Sequence, residues 1–194
     1  MTTPLHGRPP SRSTRPPPDA DMMRIAFREL HAARLYGFAL LLTLGDRAQA
    51  ASLAATALAI GERRWEELRH PERAAAWLRA EVVREYRPPR GRPPLVQGDR
   101  RAALELLGVS RPAAEALGAL PPRERAGLIA DRIEGLAPLD IATVVGRHGG
   151  RLARLLNDAR RRYSAAYAPA SGDSHDADGP LARRIRDIAT RAVS

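Results

Sequence analysis

The chain has 194 residues, enough for one domain or two small ones, and a formal net charge of +10 in which every one of the 32 basic residues is arginine. There is no cysteine, which excludes a disulfide framework, a thiolate zinc site and thiol chemistry. Aromatics make up 4% and alanine- and leucine-rich helical patterns dominate, so an all-α fold is expected; the basic balance favours a polyanionic partner, nucleic acid before anionic membrane.

The arginine-for-lysine usage, with abundant Ala and Pro, also fits a GC-rich genome and is not in itself a sign of phosphate contacts. The longest apolar run, residues 37–44, falls well short of the roughly 18 residues of a membrane span, and the first residues have no apolar core of signal-peptide length. No membrane insertion and a cytoplasmic location are expected.

Residues 1–20, rich in Pro, Arg, Ser and Thr, cannot form a core and read as a disordered basic arm. Over 22–44, Phe27, Leu30, Ala33, Leu35, Phe38, Leu41 and Leu42 recur near the 3.6 period and predict a long helix that Gly45-Asp46 stops. Asp46 then caps a second helix over 47–60, with Ala50, Leu53, Ala54, Ala57 and Leu58 on its apolar side. Gly61 is expected to break the pattern before a short helix over 62–68 that holds Trp65. Pro71 sits at the start of the next helix, 72–86, which should bury Trp77, Leu78, Val82 and Val83. These elements predict a compact helical bundle over 21–87. The paired prolines and the arginines of residues 88–100 read as a linker, extended where the prolines sit; a structured loop within one domain is the alternative.

Short helices over 101–107 and 112–120 lead into PPRERAGLIADRIEGLAPLDIATVVGRHGGRLARLLNDARRRY, residues 121–163. Pro121-Pro122 opens one helix and Gly135 closes it; Pro138 opens a second and Gly146 closes that; a third runs from about Gly150 to Tyr163. This is the spacing of a helix-turn-helix. Ala142 sits where the partner helix crosses closely, and Gly146 sits in the turn, where a positive φ is cheap only for glycine. Ile141, Val145, Leu152 and Leu155 are expected to pack the two helices together. Arg147, Arg151 and Arg154 fall on one face of the third helix, opposite Leu152, Leu155, Leu156, Ala159 and Tyr163. The first face suits phosphate; a plain helical hairpin with solvated arginines is the other reading. This second domain is placed at 101–167.

Residues 168–180 read as a flexible acidic tether. Asp173, His175, Asp176 and Asp178 fail the calcium-loop spacing and lack its closing Glu, so no metal site is assigned. Leu181, Ile185, Ile188 and Ala192 make one stripe of a final amphipathic helix over 181–194, too short to be stable without docking on something.

Taken together, residues 27–163 resemble an RNA polymerase sigma factor of the small, two-domain extracytoplasmic-function type. RLYGFALLLTLGDRAQAASLAATAL, a Trp-bearing segment and PERAAAWLRAEVVREY follow the order and spacing of the family's region 2. EALGALPPRERAGLIADRIEGLAPLDIATVVG and RLARLLNDARRR follow region 4. The resemblance implies two small helical domains joined by the Pro/Arg-rich linker and a role in promoter recognition and transcription initiation. The implied partners are core RNA polymerase, through its β′ clamp helices and β flap, and promoter DNA; an anti-sigma factor is a further candidate. Carried over by position, polymerase docking falls on Arg47, Gln49, Ser52, Leu53 and Thr56. Contacts to the −10 element fall on Trp77, Arg79, Arg84 and Arg87, and contacts to the −35 element on Arg147, His148, Arg151, Arg154 and Asn157. No cofactor and no metal are implied.

The departures from the family lie at polar positions. Where its second helix reads AEDLVQETF, this chain has Ala50-Ala51-Ser52-Leu53-Ala54-Ala55-Thr56-Ala57-Leu58, keeping the core leucine and losing every acidic and amide group. The Ile-Ala-x-Asn pattern near the end of the fourth helix becomes Glu81-Val82-Val83-Arg84. Arg147 stands where an apolar turn residue is usual, and the basic pair at the head of the recognition helix is Ala153 and Leu155. The alternatives are therefore a degenerate sigma-like adaptor that binds an anti-sigma factor or another protein, and a stand-alone DNA-binding regulator. No catalysis is expected: His6, His31, His70, His148 and His175 are scattered, and neither a serine elbow nor a glycine-rich phosphate loop occurs.

Overall fold

The computed structural model describes residues 20–68, 70–89 and 96–171, and the described residues are helical with no strand. The expected basic arm, the acidic run with Asp173, His175, Asp176 and Asp178, and the C-terminal amphipathic helix lie outside them but for their inner edges. The helices are α1 (Ala20–Leu42), α2 (Arg47–Arg63), α3 (Pro71–Glu85), α4 (Gly98–Leu106), α5 (Arg111–Gly118), α6 (Pro122–Leu128), α7 (Pro138–Val145) and α8 (Gly149–Ser171). A π-helical turn, Ile129–Ile133, continues α6.

Helix α1 is amphipathic only in its second half, where Leu35, Phe38, Ala39 and Leu42 are fully enclosed. It ends on Leu44, a non-glycine residue at φ +57°, followed by Gly45 at +82°. The Gly45 N–H reaches back to Leu40 O at 2.9 Å, closing the C-terminal carbonyls in the way a left-handed cap does. Asp46 then caps α2, its carboxylate accepting from the Gln49 N–H at 2.9 Å, as its position in the sequence predicts.

Gly61 does not break α2. It lies inside the helix because a Cβ there would stand 2.8 Å from Leu78 Cδ2 and 3.0 Å from Phe27 Cε1, so its small size admits α1 and α3. Residues 64–68, expected to be part of a short helix, form turns instead. Helix α8 runs past the expected end near Tyr163 and through the start of the expected tether. The stacked rings of Tyr163 and Tyr167, 5.8 Å apart, and the partly buried Ala166 and Tyr167 continue its apolar stripe onto the core. Helix α4 begins at Gly98, inside the segment read as a linker, of which residues 90–95 lie outside the described residues.

The buried side chains of residues 20–89 and of 96–171 form one cluster, from Leu35 on α1 to Tyr163 on α8. Helix α3 packs against α7, and α1 touches α4 and α6. Polar bridges cross the same boundary. The Arg125 guanidinium, 3% exposed as a residue, donates to Leu42 O at 2.6 Å, Leu117 O at 2.9 Å and Leu120 O at 2.9 Å. One side chain thus satisfies terminal carbonyls of both α1 and α5. Burial pulls the Arg125 pKa down, and the neighbouring Tyr86 pulls it back up. Arg100 pairs with Asp46 at 2.5 Å, and its carbonyl oxygen lies 2.1 Å from where a Cβ on Gly45 would be.

Candidate nucleic-acid interface

Helix α7 stops at Gly146, whose φ of +63° is the left-handed conformation that the helix-turn-helix reading requires. The Arg147 N–H turns back to Ala142 O at 3.1 Å, and α8 begins two residues later. Arg147 is therefore a turn residue, as its place after Gly146 implies, and only Arg151 and Arg154 of the three arginines stand on the helix itself. Below the turn, Ile141, Ala142, Val144 and Val145 of α7 and Leu152, Ala159 and Tyr163 of α8 are buried, with Leu155 and Leu156 partly so. That packing turns Arg151 and Arg154 outward.

The turn and the helix head together form a shallow concavity of about 600 Å³ lined by Gly146, Arg147, His148, Gly150, Arg151 and Arg154. Among the described residues no carboxylate lies within salt-bridge distance of Arg147, Arg151 or Arg154. Further along α8 the opposite holds: Arg160 pairs with Asp131 at 2.7 Å, Arg161 with Asp158 at 3.0 Å and Arg162 with Glu124 at 3.6 Å. The free N–H groups of the first turn of α8 add the positive end of a helix dipole to the same place. Three guanidinium groups around a concave, solvent-open surface can hold phosphate oxygens or reach base edges. Asn157 is exposed but lies a turn further along and does not line the concavity.

The residues assigned to −10 contacts are placed differently. Arg79 is turned inward, its side chain 5% exposed, with Nε donating to Glu134 Oε2 at 2.5 Å, Nη2 to Glu134 Oε1 at 2.6 Å and Nη1 to Ala75 O at 2.8 Å. In this packing it cannot reach DNA. Trp77 is half-buried beneath the Arg64 guanidinium, 5.2 Å from the ring centre. Arg84 is exposed but paired with Glu81 and with Glu85, and exposed Arg87 donates to Arg84 O. On the expected polymerase-docking helix, Arg47, Ser52 and Thr56 are exposed and Gln49 donates to Arg87 O at 3.3 Å. Leu53 points into the core, 8% exposed, and supports the helix from within.

Sequence reasoning missed the residues that join the halves. Arg125 carried a usable signal, because it stands at i, i+3 and i+4 with Leu128 and Ile129 and so lies on an apolar stripe. Glu134 and Arg100 carried none. His31 was likewise unread: it is 7% exposed, its Nε2 has no hydrogen-bond partner, and burial, then Arg79 and Arg34, hold its pKa below the usual value.

Among the described residues no three His, Asp or Glu side chains come together as a metal ion would require, and no helix is long and apolar enough to cross a membrane. No protein-family model matches the chain, and a search of the curated proteins found no match.

Proposed function

We propose that this chain is a promoter-recognising transcription-initiation protein of the extracytoplasmic-function sigma type, without catalysis of its own. In this reading residues 21–87 are the polymerase-facing helical module and residues 101–167 the module that reads duplex DNA. The observation that carries it is the arginine set Arg147, Arg151 and Arg154 around the turn between α7 and α8, which has no carboxylate partner among the described residues. The order and spacing of helices along 27–163 supply the family; the arginine set supplies a surface for DNA. Arg147, Arg151 and Arg154 hold phosphates together with the helix head, while His148, beside the turn, is the candidate for a base edge.

Three arginine–phosphate contacts predict a slope of about −2.7 in log affinity against log salt, hence a loss of about 40-fold between 50 and 200 mM. The deciding experiment is co-purification with core RNA polymerase at low salt, followed by transcription from a promoter template in vitro. Failure to retain the chain on core polymerase would sink the proposal.

A second reading, a sigma-like adaptor without productive promoter contact, is favoured by the burial of Arg79 and by the small, nearly uncharged outward face of α2. It predicts capture of a small anti-sigma-like partner with no polymerase in the complex. Binding to core polymerase at ordinary strength would remove it.

A further inference from the structure

The Arg79–Glu134 pair joins α3 to the turn ahead of α7 across 55 residues of sequence. Both side chains are largely enclosed, 5% and 15% exposed, and the guanidinium and carboxylate meet fork to fork. Phe38 lies under the guanidinium at 5.7 Å, and Ala75 O takes a third N–H. The neighbouring His31, whose Nε2 is unpartnered, offers Arg79 no negative charge. Glu134 is thus the carboxylate on which Arg79 depends.

A buried ion pair of this kind contributes little net stability, because the cost of drying both charges offsets most of their attraction. What it does is specify one arrangement. Its own loss on opening is small, since both groups rehydrate when α3 and the turn ahead of α7 separate. The carboxylate presents two oxygens to the guanidinium in the geometry that a phosphate presents.

We propose that Arg79–Glu134 is a latch, in which Glu134 stands in for a nucleic-acid phosphate and closes α3 on the turn ahead of α7, beside the shared core and Arg125, until single-stranded DNA takes its place on Arg79. This rests on the reading of α3 as the helix that meets the opened strand. The latched chain presents the concavity at the head of α8 to duplex DNA while keeping Arg79 occupied. Release therefore couples the two contacts: α3 gains a cation when a strand competes for it, and not before. A ligand shifts such an equilibrium only by its preference for the open form, and a phosphate on Arg79 can be made only there.

The full chain has no cysteine, so a spin-label pair can be introduced at two exposed positions, Arg73→Cys on α3 and Thr143→Cys on α7, and their separation measured by pulsed dipolar spectroscopy. The latched chain should give one short distance. Glu134→Gln, which keeps the shape and removes the charge, should add a longer distance carrying about a tenth or more of the distribution. Single-stranded DNA added to the chain with Glu134 intact should raise the same longer distance, and Arg79→Lys, which cannot form the fork, should resemble Glu134→Gln. An unchanged single distance in folded Glu134→Gln, or with DNA on the intact latch, would overturn the proposal. So would equal opening by polyglutamate. The DNA arm needs no latch variant, so a Glu134→Gln chain that does not fold leaves the test intact. Polymerase retention is scored separately: opening without it refutes the sigma reading alone, and retention without opening refutes the latch alone.

Discussion

Replacing Arg125 by methionine removes one guanidinium and keeps most of the apolar stem. Three carbonyl oxygens then lose an Arg125 N–H: Leu42 O at the end of α1 and Leu120 O just beyond α5 are left without that donor, while Leu117 O keeps the Leu120 N–H at 3.2 Å. Each buried acceptor left without a partner costs about 1–3 kcal/mol. The unfolded chain no longer gains by hydrating a guanidinium that folding had to dry, which returns part of the loss. The net expectation is about 3–5 kcal/mol, in the range for breaking a buried charged contact. For a chain of this size that is about 6–20 °C in Tm. Urea unfolding followed by circular dichroism at several protein concentrations measures it, with Arg125→Lys as a control able to satisfy fewer of the three acceptors. A loss under about 1 kcal/mol for Arg125→Met would refute the reasoning, because typical surface changes already reach half of that.

Arg151→Ala and Arg154→Ala should each weaken duplex DNA binding and reduce the salt slope by about 0.9, read by fluorescence anisotropy at several salt concentrations; an unchanged slope would remove them from the interface. Gly45→Ala places a Cβ 2.1 Å from Arg100 O at a φ of +82°. Strain and overpacking together should cost about 2–4 kcal/mol in urea unfolding, and a neutral result would mean that α1 and α4 do not meet there. The folded pKa of His31 is lowered, so the unfolded chain binds more protons. Stability should hold above the unfolded value of about 6.5 and fall as the pH drops below it, by at most about 1.4 kcal/mol per pH unit. His31→Gln should flatten that limb in a series of Tm measurements, and an identical pH profile would show that His31 does not titrate on unfolding.

Much of the helical layout was legible because it is local. Asp46 as a cap, Pro71 and Pro138 at helix starts and Gly146 in its turn each act within a few residues, and the structure has all four where periodicity and turn chemistry put them. Gly61 was misread because its reason is not local: two other helices come within contact of it. The candidate site divides in the same way. Arg151 and Arg154 were readable from the apolar stripe opposite them, since burying one face of a helix exposes the other. Arg79 and Arg84 were not separable, being arginines little more than a turn apart on one helix. Only the approach of Glu134 from the other half makes one an enclosed ion pair and leaves the other at the surface. Partners that meet through backbone carbonyls, as those of Arg125 do, leave no pattern in side-chain identity.

The π-helical turn that continues α6 holds one residue more than an α-turn of the same sweep. Its wider loop is visible in the Glu134 N–H reaching Ile129 O at 3.0 Å, five residues back instead of four. Four residues of α-helix turn through about 400°, and the five of this wider turn sweep nearly the same angle. Removing one residue from 129–133 would let an ordinary α-turn close with Glu134 still facing Arg79, where the same deletion in an unbroken α-helix would swing it by about 100°. The stretch ahead of α7 thus carries one residue of slack.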